Sequence, residues 1–341
     1  MAVEYLSPNI RNVVLLGHGG SGKTTLTDAL CYIAGSTSRR GQVENGTSHT
    51  DFTQEEIDHG ISINLTVARA EWLETKLNLI DTPGYLDFFG EVEAGVRVAD
   101  GALVVVGATS GVEVGTERCW RAAERRGIPR MVFISMMDRE NASFDKAFQQ
   151  VRDTFGKGAI PVEVPIGSGE NFSGIVNLFS GHAHHYRPGS DKGEYDHVEI
   201  PDEVAATVDS YREQLIESIA ATDDELLEAY LEGEELDRER GLAGMKLGMM
   251  RGELFPVFCG SGASGKGARA VLKKLVELMP NPTDIGVVEA EDSRGNAVEL
   301  EPVDASPMTA LVFKTTQEPR VGELSFFRVF TGVAESGATV D

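Results

Sequence analysis

Residues Gly17 to Thr24 read GHGGSGKT and fit the phosphate-binding pattern G-x-x-x-x-G-K-[ST]. The setting matters as much as the letters. The loop follows the apolar run RNVVLLG over 11–17 and opens the helix-like stretch KTTLTDALCYIA, so the segment reads as strand, loop, helix. Glycines let the backbone wrap until several N–H groups point inward, the helix start adds partial positive charge, and Lys23 supplies a full one. Such a nest suits a triphosphate. We expect Gly17, His18, Gly19, Gly20, Ser21, Gly22, Lys23, Thr24 and Thr25 to surround the phosphates, with the Thr24 hydroxyl placed to ligate magnesium.

The rest of the chain supplies a frame for that loop. From Ile63 the pattern INLTVARAEWL alternates, and KLNLIDT follows Glu74 and Thr75, which predicts two strands joined by a tight turn. The runs ALVVVG (102–107) and RMVFISM (130–136) are each followed by ten or more residues with helical spacing. Strands alternating with helices predict an α/β fold, a mostly parallel sheet with helices on both faces. Between about 157 and 253 the character changes to short strand-like pieces and then an acidic helical stretch, read as an insertion. The sheet pattern resumes at LFPVFCG, and a helix-like run ends at Pro280 and Pro282.

These breaks predict a nucleotide-binding domain over 1–285, a polar linker over 286–307, and a strand-rich segment over 308–341. So few residues cannot close a barrel, and we expect the natural chain to continue. A length of 341 residues suits at least two domains. The formal charge is −23, which disfavours general adhesion to nucleic acid, and no sequence-specific nucleic-acid partner is expected. Residues 191–240 hold 18 acidic and 4 basic side chains, so the charge is local and reads first as a solvated helical face. Cys31, Cys119 and Cys259 are isolated and odd in number, which fits neither zinc spacing nor a disulfide framework. With no basic-then-apolar leader and no apolar run of membrane length, the expectation is a cytoplasmic protein without a membrane partner.

A second motif strengthens the first. DTPG, Asp81 to Gly84, ends a predicted strand about 57 residues after the loop. A carboxylate there can hold magnesium through water, and the Gly84 N–H can contact a terminal phosphate and swing when that phosphate leaves. A near-repeat of the phosphate pattern, GSGASGK over 260–266, carries Gly267 where a hydroxyl ligand belongs, and is discounted. The cluster His182, His184 and His185 lacks a fourth zinc ligand nearby and is read as structural.

With these motifs in order, the chain resembles elongation factor G and its paralogues from about Asn12 to the final residue. The family's mobile segment ending Arg-Gly-Ile-Thr-Ile reads His59, Gly60, Ile61, Ser62, Ile63 here, and Ser62 keeps the hydroxyl for magnesium. The base-reading Asn-Lys-x-Asp becomes Ser135, Met136, Met137, Asp138. Asp138 still accepts from guanine N1–H and the exocyclic amine, which adenine cannot match, and Ser135 keeps one short hydrogen bond. The family's Ser-Ala loop, which meets the guanine carbonyl through a backbone N–H, corresponds to Ser261 and Gly262.

Tyr85 stands where the family's histidine orients the attacking water. A phenol can hydrogen-bond water but cannot become a cation. Gly19 and Gly20 replace an apolar residue and an aspartate. The resemblance thus implies a paralogue-type GTPase, slow without an activator, with GTP or GDP and magnesium as ligands. It also implies a ribosomal partner, with the acidic insertion suited to the stalk. In this reading Lys23, Gly84 and Tyr85 are catalytic, and Thr24, Ser62 and Asp81 hold the metal. The rival readings are a binding module with lost hydrolysis and a P-loop protein that uses ATP.

Overall fold

A computed structural model describes residues 5–234, 236–318, 322–337 and 339. In chain order it runs β1 (Ile10–Leu16), the phosphate loop, α1 (Lys23–Ile33), a polar segment containing α2 (Gln54–His59), and the hairpin β2 (Thr66–Trp72) and β3 (Thr75–Asp81). Then follow α3 (Phe89–Val98), β4 (Gly101–Gly107), α4 (Val114–Arg125), β5 (Arg130–Ser135), α5 (Phe144–Phe155) and β6 (Ala159–Pro161). Four short strands come next, β7 (Glu163–Ile166), β8 (Gly174–Asn177), β9 (His182–Tyr186) and β10 (Tyr195–Val198). The helices α6 (Asp202–Ala220), α7 (Asp224–Leu231) and α8 (Arg238–Met250) lead back to β11 (Phe255–Cys259), α9 (Ala268–Leu278) and α10 (Pro282–Ile285).

The main sheet has the order β2-β3-β1-β4-β5-β11-β6. Only the β2–β3 pair is antiparallel. The expected α/β class is therefore present. Val13 and Leu15 of β1 pack on one face with Leu26 and Leu30 of α1 and Leu272 and Leu275 of α9. Val14 and Leu16 pack on the other with Val92 of α3, Trp120 of α4 and Phe148 of α5. Burial on both faces explains why these strands read as unbroken apolar runs rather than alternating ones.

Parallel strands share one carboxyl edge, and here that edge gathers the loops after β1, β3, β5 and β11. Because β3 and β4 flank β1 on opposite sides, the chain crosses over in both directions there, which opens a crevice for a ligand.

The strands β10-β9-β8-β7 form a separate antiparallel sheet, while β6 joins the main sheet beside β11. Val164 and Val176 of these strands, with Val208, Leu215 and Met245 of the helices that follow, join the core on the α1 and α9 face. The stretch 286–307, expected as a linker, carries a hairpin of β12 (Val288–Glu291) and β13 (Ala297–Leu300). Val288 and Ala290 stand opposite Leu300 and Val298 on one face, but each strand is only four residues long, too short for its alternation to stand out. The antiparallel pair β14 (Thr309–Glu318) and β15 (Gly322–Thr331) follows. Arg328 of β15 grips Asp100 with two nitrogens at 2.9 and 3.0 Å. No helix among the described residues is long and apolar enough to cross a membrane.

Candidate functional site at the carboxyl edge of the sheet

The loop after β1 needs its glycines. Gly17, Gly20 and Gly22 have φ of 147°, 80° and 91°, and a Cβ on Gly17 would sit 2.4 Å from the Val105 carbonyl oxygen. Lys23 is buried, and its ammonium donates to the carbonyls of Gly17 at 3.1 Å and His18 at 2.9 Å. Burial lowers its pKa, and the charges of Asp81 and Asp51 oppose that shift. His18 Nε2 lies 3.5 Å from Glu113 at the start of α4. Gly19, Gly20, Gly22, Lys23, Thr24 and Thr25 line a cavity of about 330 Å³, together with Asp51, Ser62, Gly84, Tyr85 and Met136. His18 and Ser21 sit in the loop behind them.

Hydroxyl and carboxylate groups meet at the mouth of α1. Thr24 Oγ1 is 3.0 Å from Ser62 Oγ, which donates to Asp51 Oδ2 at 2.9 Å. Asp81, at the end of β3, accepts from Thr50 Oγ1 at 2.8 Å through Oδ2, while its buried Oδ1 has no hydrogen-bond partner. Burial raises Asp81 to about 6. Burial, and then the charge of Asp81, raises Asp51 to about 7. Two desolvated carboxylates beside two hydroxyls, with one oxygen left unpaired, make a donor set of the hard, oxygen-only kind that magnesium takes.

Ser62 is held in place from outside the cluster. Thr53 and Glu56 form a capping box on α2, and Glu56 Oε1 also accepts from the N–H groups of Ile63 and Asn64 at 3.1 and 3.0 Å. Burial pushes the Glu56 carboxyl up, but these hydrogen bonds outweigh it and hold its pKa low.

At the far side, Asp138 Oδ2 accepts from Ser261 Oγ at 2.7 Å, so the loops after β5 and β11 are joined. Ser135 departs from expectation. Its buried hydroxyl lies 2.6 Å from the Ser21 carbonyl and 3.2 Å from that of Val106, so its single proton ties β5 to the phosphate loop rather than facing a base. The Ser261 N–H is likewise used, donating to Lys266 O at 2.8 Å, which leaves the next residue, Gly262, as the loop's contact point. Gly262 packs on the first turn of α1, where a Cβ would meet Leu26 N at 2.9 Å. Met136 takes φ 61° and points its methyl at Gly22.

Lys266 donates to the Phe172 carbonyl, consistent with discounting the second phosphate pattern. Among the described residues no group of three or more His, Cys, Asp or Glu side chains is arranged to hold a metal, the histidines of β9 included.

Sequence reading missed Thr50 and Asp51, and also Asp28, which receives the His49 backbone N–H at 3.0 Å and so anchors their segment to α1. Their only signal was the polar run SHTD over 48–51, which has no periodicity.

Comparison with known proteins bears on this geometry. The model of the elongation factor Tu GTP-binding domain matches residues 8–281. The chain is also similar to the crystal structure of ttk003000868 from Thermus thermophilus, with 37% identity and a TM-score of 0.84. That match covers 95% of this chain and 46% of the other, so the chain spans about half the length of this relative. The phosphate loop, the Asp81 turn and the Asp138–Ser261 junction all fall inside the matched residues, and the chain belongs to the family of elongation factor Tu GTP-binding domains.

Proposed function

We propose that this chain is a magnesium-dependent GTP switch of the elongation factor G type, which hydrolyses GTP slowly alone and faster on a ribosome. The observation that carries the reading is the meeting of Thr24, Ser62 and Asp51 with Lys23 and Gly84 around one cavity, with Asp81 buried at the end of β3 and one of its oxygens unpaired. Lys23 and the loop amides hold the phosphates and stabilise charge that develops on them. Thr24 and Ser62 ligate magnesium, with Asp81 and Asp51 behind them, and the ion when bound neutralises the outer phosphates. Gly84 senses the terminal phosphate, and Tyr85 borders the position of the attacking water. Asp138 reads the guanine edge, and the Gly262 N–H meets its carbonyl.

The same reading divides the chain near residue 285, treats 157–253 as an insertion and assigns the strands after 308 to a barrel domain. It places the protein in the cytoplasm, with the ribosome as partner and the acidic insertion facing its stalk. A second reading, a binding module with lost hydrolysis, is favoured by one observation: the residue beside Gly84 in the cavity is Tyr85, whose phenol cannot become a cation and whose ring packs on Gly19.

Calorimetric titration with GDP and with ATP in magnesium tests the base assignment. Tight GDP binding with negligible ATP binding is expected, and equal affinities would sink it. Multiple-turnover phosphate release from GTP separates the two readings, since the switch must exceed a Lys23→Ala control and the binding module must not.

A further inference from the structure

Lys314 belongs to β14, far along the chain from the residues around the cavity, yet its ammonium reaches the segment that carries Ser62. It donates to the Leu65 carbonyl and lies 3.7 Å from Glu91 Oε2 of α3. The same Glu91 oxygen accepts the Leu65 N–H at 2.7 Å, so both main-chain polar groups of this buried residue are gripped by side chains that also face each other. A bulge makes the reach possible. Val312 pairs with Phe327 and Lys314 with Phe326, which leaves Phe313 as an extra residue. Strict alternation would put Lys314 on the exposed face of Val312. Instead Leu311 and Phe313 pack on the core around Leu65, Val92 and Val96, and Lys314 turns inward after them.

Leu65 is where the two arms of the hydroxyl and carboxylate cluster meet. Ser62 stands three residues before it, and Glu56 holds the N–H groups of Ile63 and Asn64 between them. Thr66, the next residue, donates through Oγ1 to the Thr50 carbonyl at 3.0 Å, and Thr50 and Asp51 form the other arm. A group that fixes Leu65 therefore restricts where the Ser62 hydroxyl and the Asp51 carboxylate can stand. Burial lowers the pKa of the Lys314 ammonium, and the charges of Glu91 and Glu56 oppose that shift. Donors ordered before an ion arrives bind it more tightly than donors that must be ordered by it.

We propose that Lys314 is a positioning residue for the magnesium site, supplied by β14 from outside the cavity: through Leu65 it preorganises Ser62 and Asp51, and so strengthens the magnesium-dependent part of nucleotide binding. This rests on the reading of the cavity as a GTP and magnesium site. The phosphate-loop and base contacts do not pass through Leu65, so the magnesium-independent part lies outside its reach. The variants that test it are built to fold. Lys314→Met keeps most of the apolar stem, and the two bonds from Arg328 to Asp100 still hold β15.

The test is calorimetric affinity for a non-hydrolysable GTP analogue, in magnesium and in EDTA, for the wild-type chain, Lys314→Met and Lys314→Arg, with amide exchange at Leu65 followed in the ligand-free chains. Lys314→Met is expected to lower the affinity in magnesium by about 5-fold or more, to keep the affinity in EDTA, and to speed exchange of the Leu65 amide. Lys314→Arg, which keeps a cation within reach of the carbonyl, is expected to recover most of the loss. Equal losses with and without magnesium would mark a general loosening and overturn the proposal. So would an unchanged affinity in magnesium, an arginine variant no better than the methionine one, or a Leu65 amide that exchanges as slowly as in the wild type. A wild-type chain whose affinity ignores magnesium would overturn the reading of the cavity and the proposal with it, whereas normal magnesium dependence that Lys314 does not influence would overturn the proposal alone.

Discussion

Ser135 shows how much a single hydroxyl decides. It bridges the end of β5 to the Ser21 carbonyl of the phosphate loop across 114 positions of sequence. Removing it leaves a buried carbonyl without that partner, which costs about 1–3 kcal/mol. Ser135→Ala is therefore expected to lower the urea midpoint and to raise the dissociation constant for GDP several-fold, through a looser loop. Unchanged values in both measurements would show that the Val106 and Ser21 carbonyls are satisfied in another way. The carboxylates opposite behave differently, because burial has already raised Asp51 and Asp81 toward neutrality. Their environment disfavours charge until a cation compensates it.

At the scale of elements, the β2–β3 hairpin carries a local conflict. Trp72 pairs with Thr75, so Leu73 and Glu74 are the two turn residues, and their φ values are 48° and 58°. Two successive positive φ angles describe the tight turn that Asn-Gly adopts most readily, and neither leucine nor glutamate favours it. Leu73 is 60% exposed, so little packing is lost by replacing it. The substitution of Leu73→Asn with Glu74→Gly is expected to stabilise the protein by about 1 kcal/mol, read as a higher urea midpoint at an unchanged slope. A lower midpoint would mean that Leu73 contributes contacts beyond the turn.

Across the whole molecule, two buried polar groups join parts that sequence keeps apart. Glu163 of β7 is fully buried, with neither carboxylate oxygen hydrogen-bonded, and Lys274 of α9, Tyr186 and Cys259 are the titratable groups near it. Burial raises its pKa from 4.5 to about 8. The native state thus keeps a proton that the unfolded chain releases, so stability falls as pH rises from about 4.5 to about 8, and levels off above. Glu163→Gln is expected to flatten that part of the melting-temperature profile and to melt a few degrees above wild type at pH 9. An identical profile would place the proton elsewhere. Arg328 joins β15 to Asp100 after α3, and both side chains are largely buried. Arg328→Ala leaves that carboxylate with Asn12 as its remaining side-chain partner and is expected to cost about 3–5 kcal/mol, with faster amide exchange over 309–318 and 322–331.

The sequence by itself determined the class of fold and the phosphate-binding loop. Apolar runs such as VVLL and ALVVV, short and bounded by turn residues, read as strands buried on both faces, and GHGGSGKT places glycine at three positive-φ positions that side chains rarely adopt. Asp81 stood out by its place at a strand end after the phosphate loop, whereas Ser62 and Asp138 were singled out only through the resemblance to a known family. What the sequence did not determine depends on partners distant along the chain. Asp51 and Thr50 enter the site only because Asp28 and Asp81 hold their segment, and β12 and β13 are four-residue strands whose brief alternation gains meaning only from their pairing. Ser135 looked like a base contact until the fold placed the Ser21 carbonyl 2.6 Å away. Gly19 and Tyr85 read as two separate departures, and only tertiary structure made them one, since contact between two loops is decided by the strands that carry them.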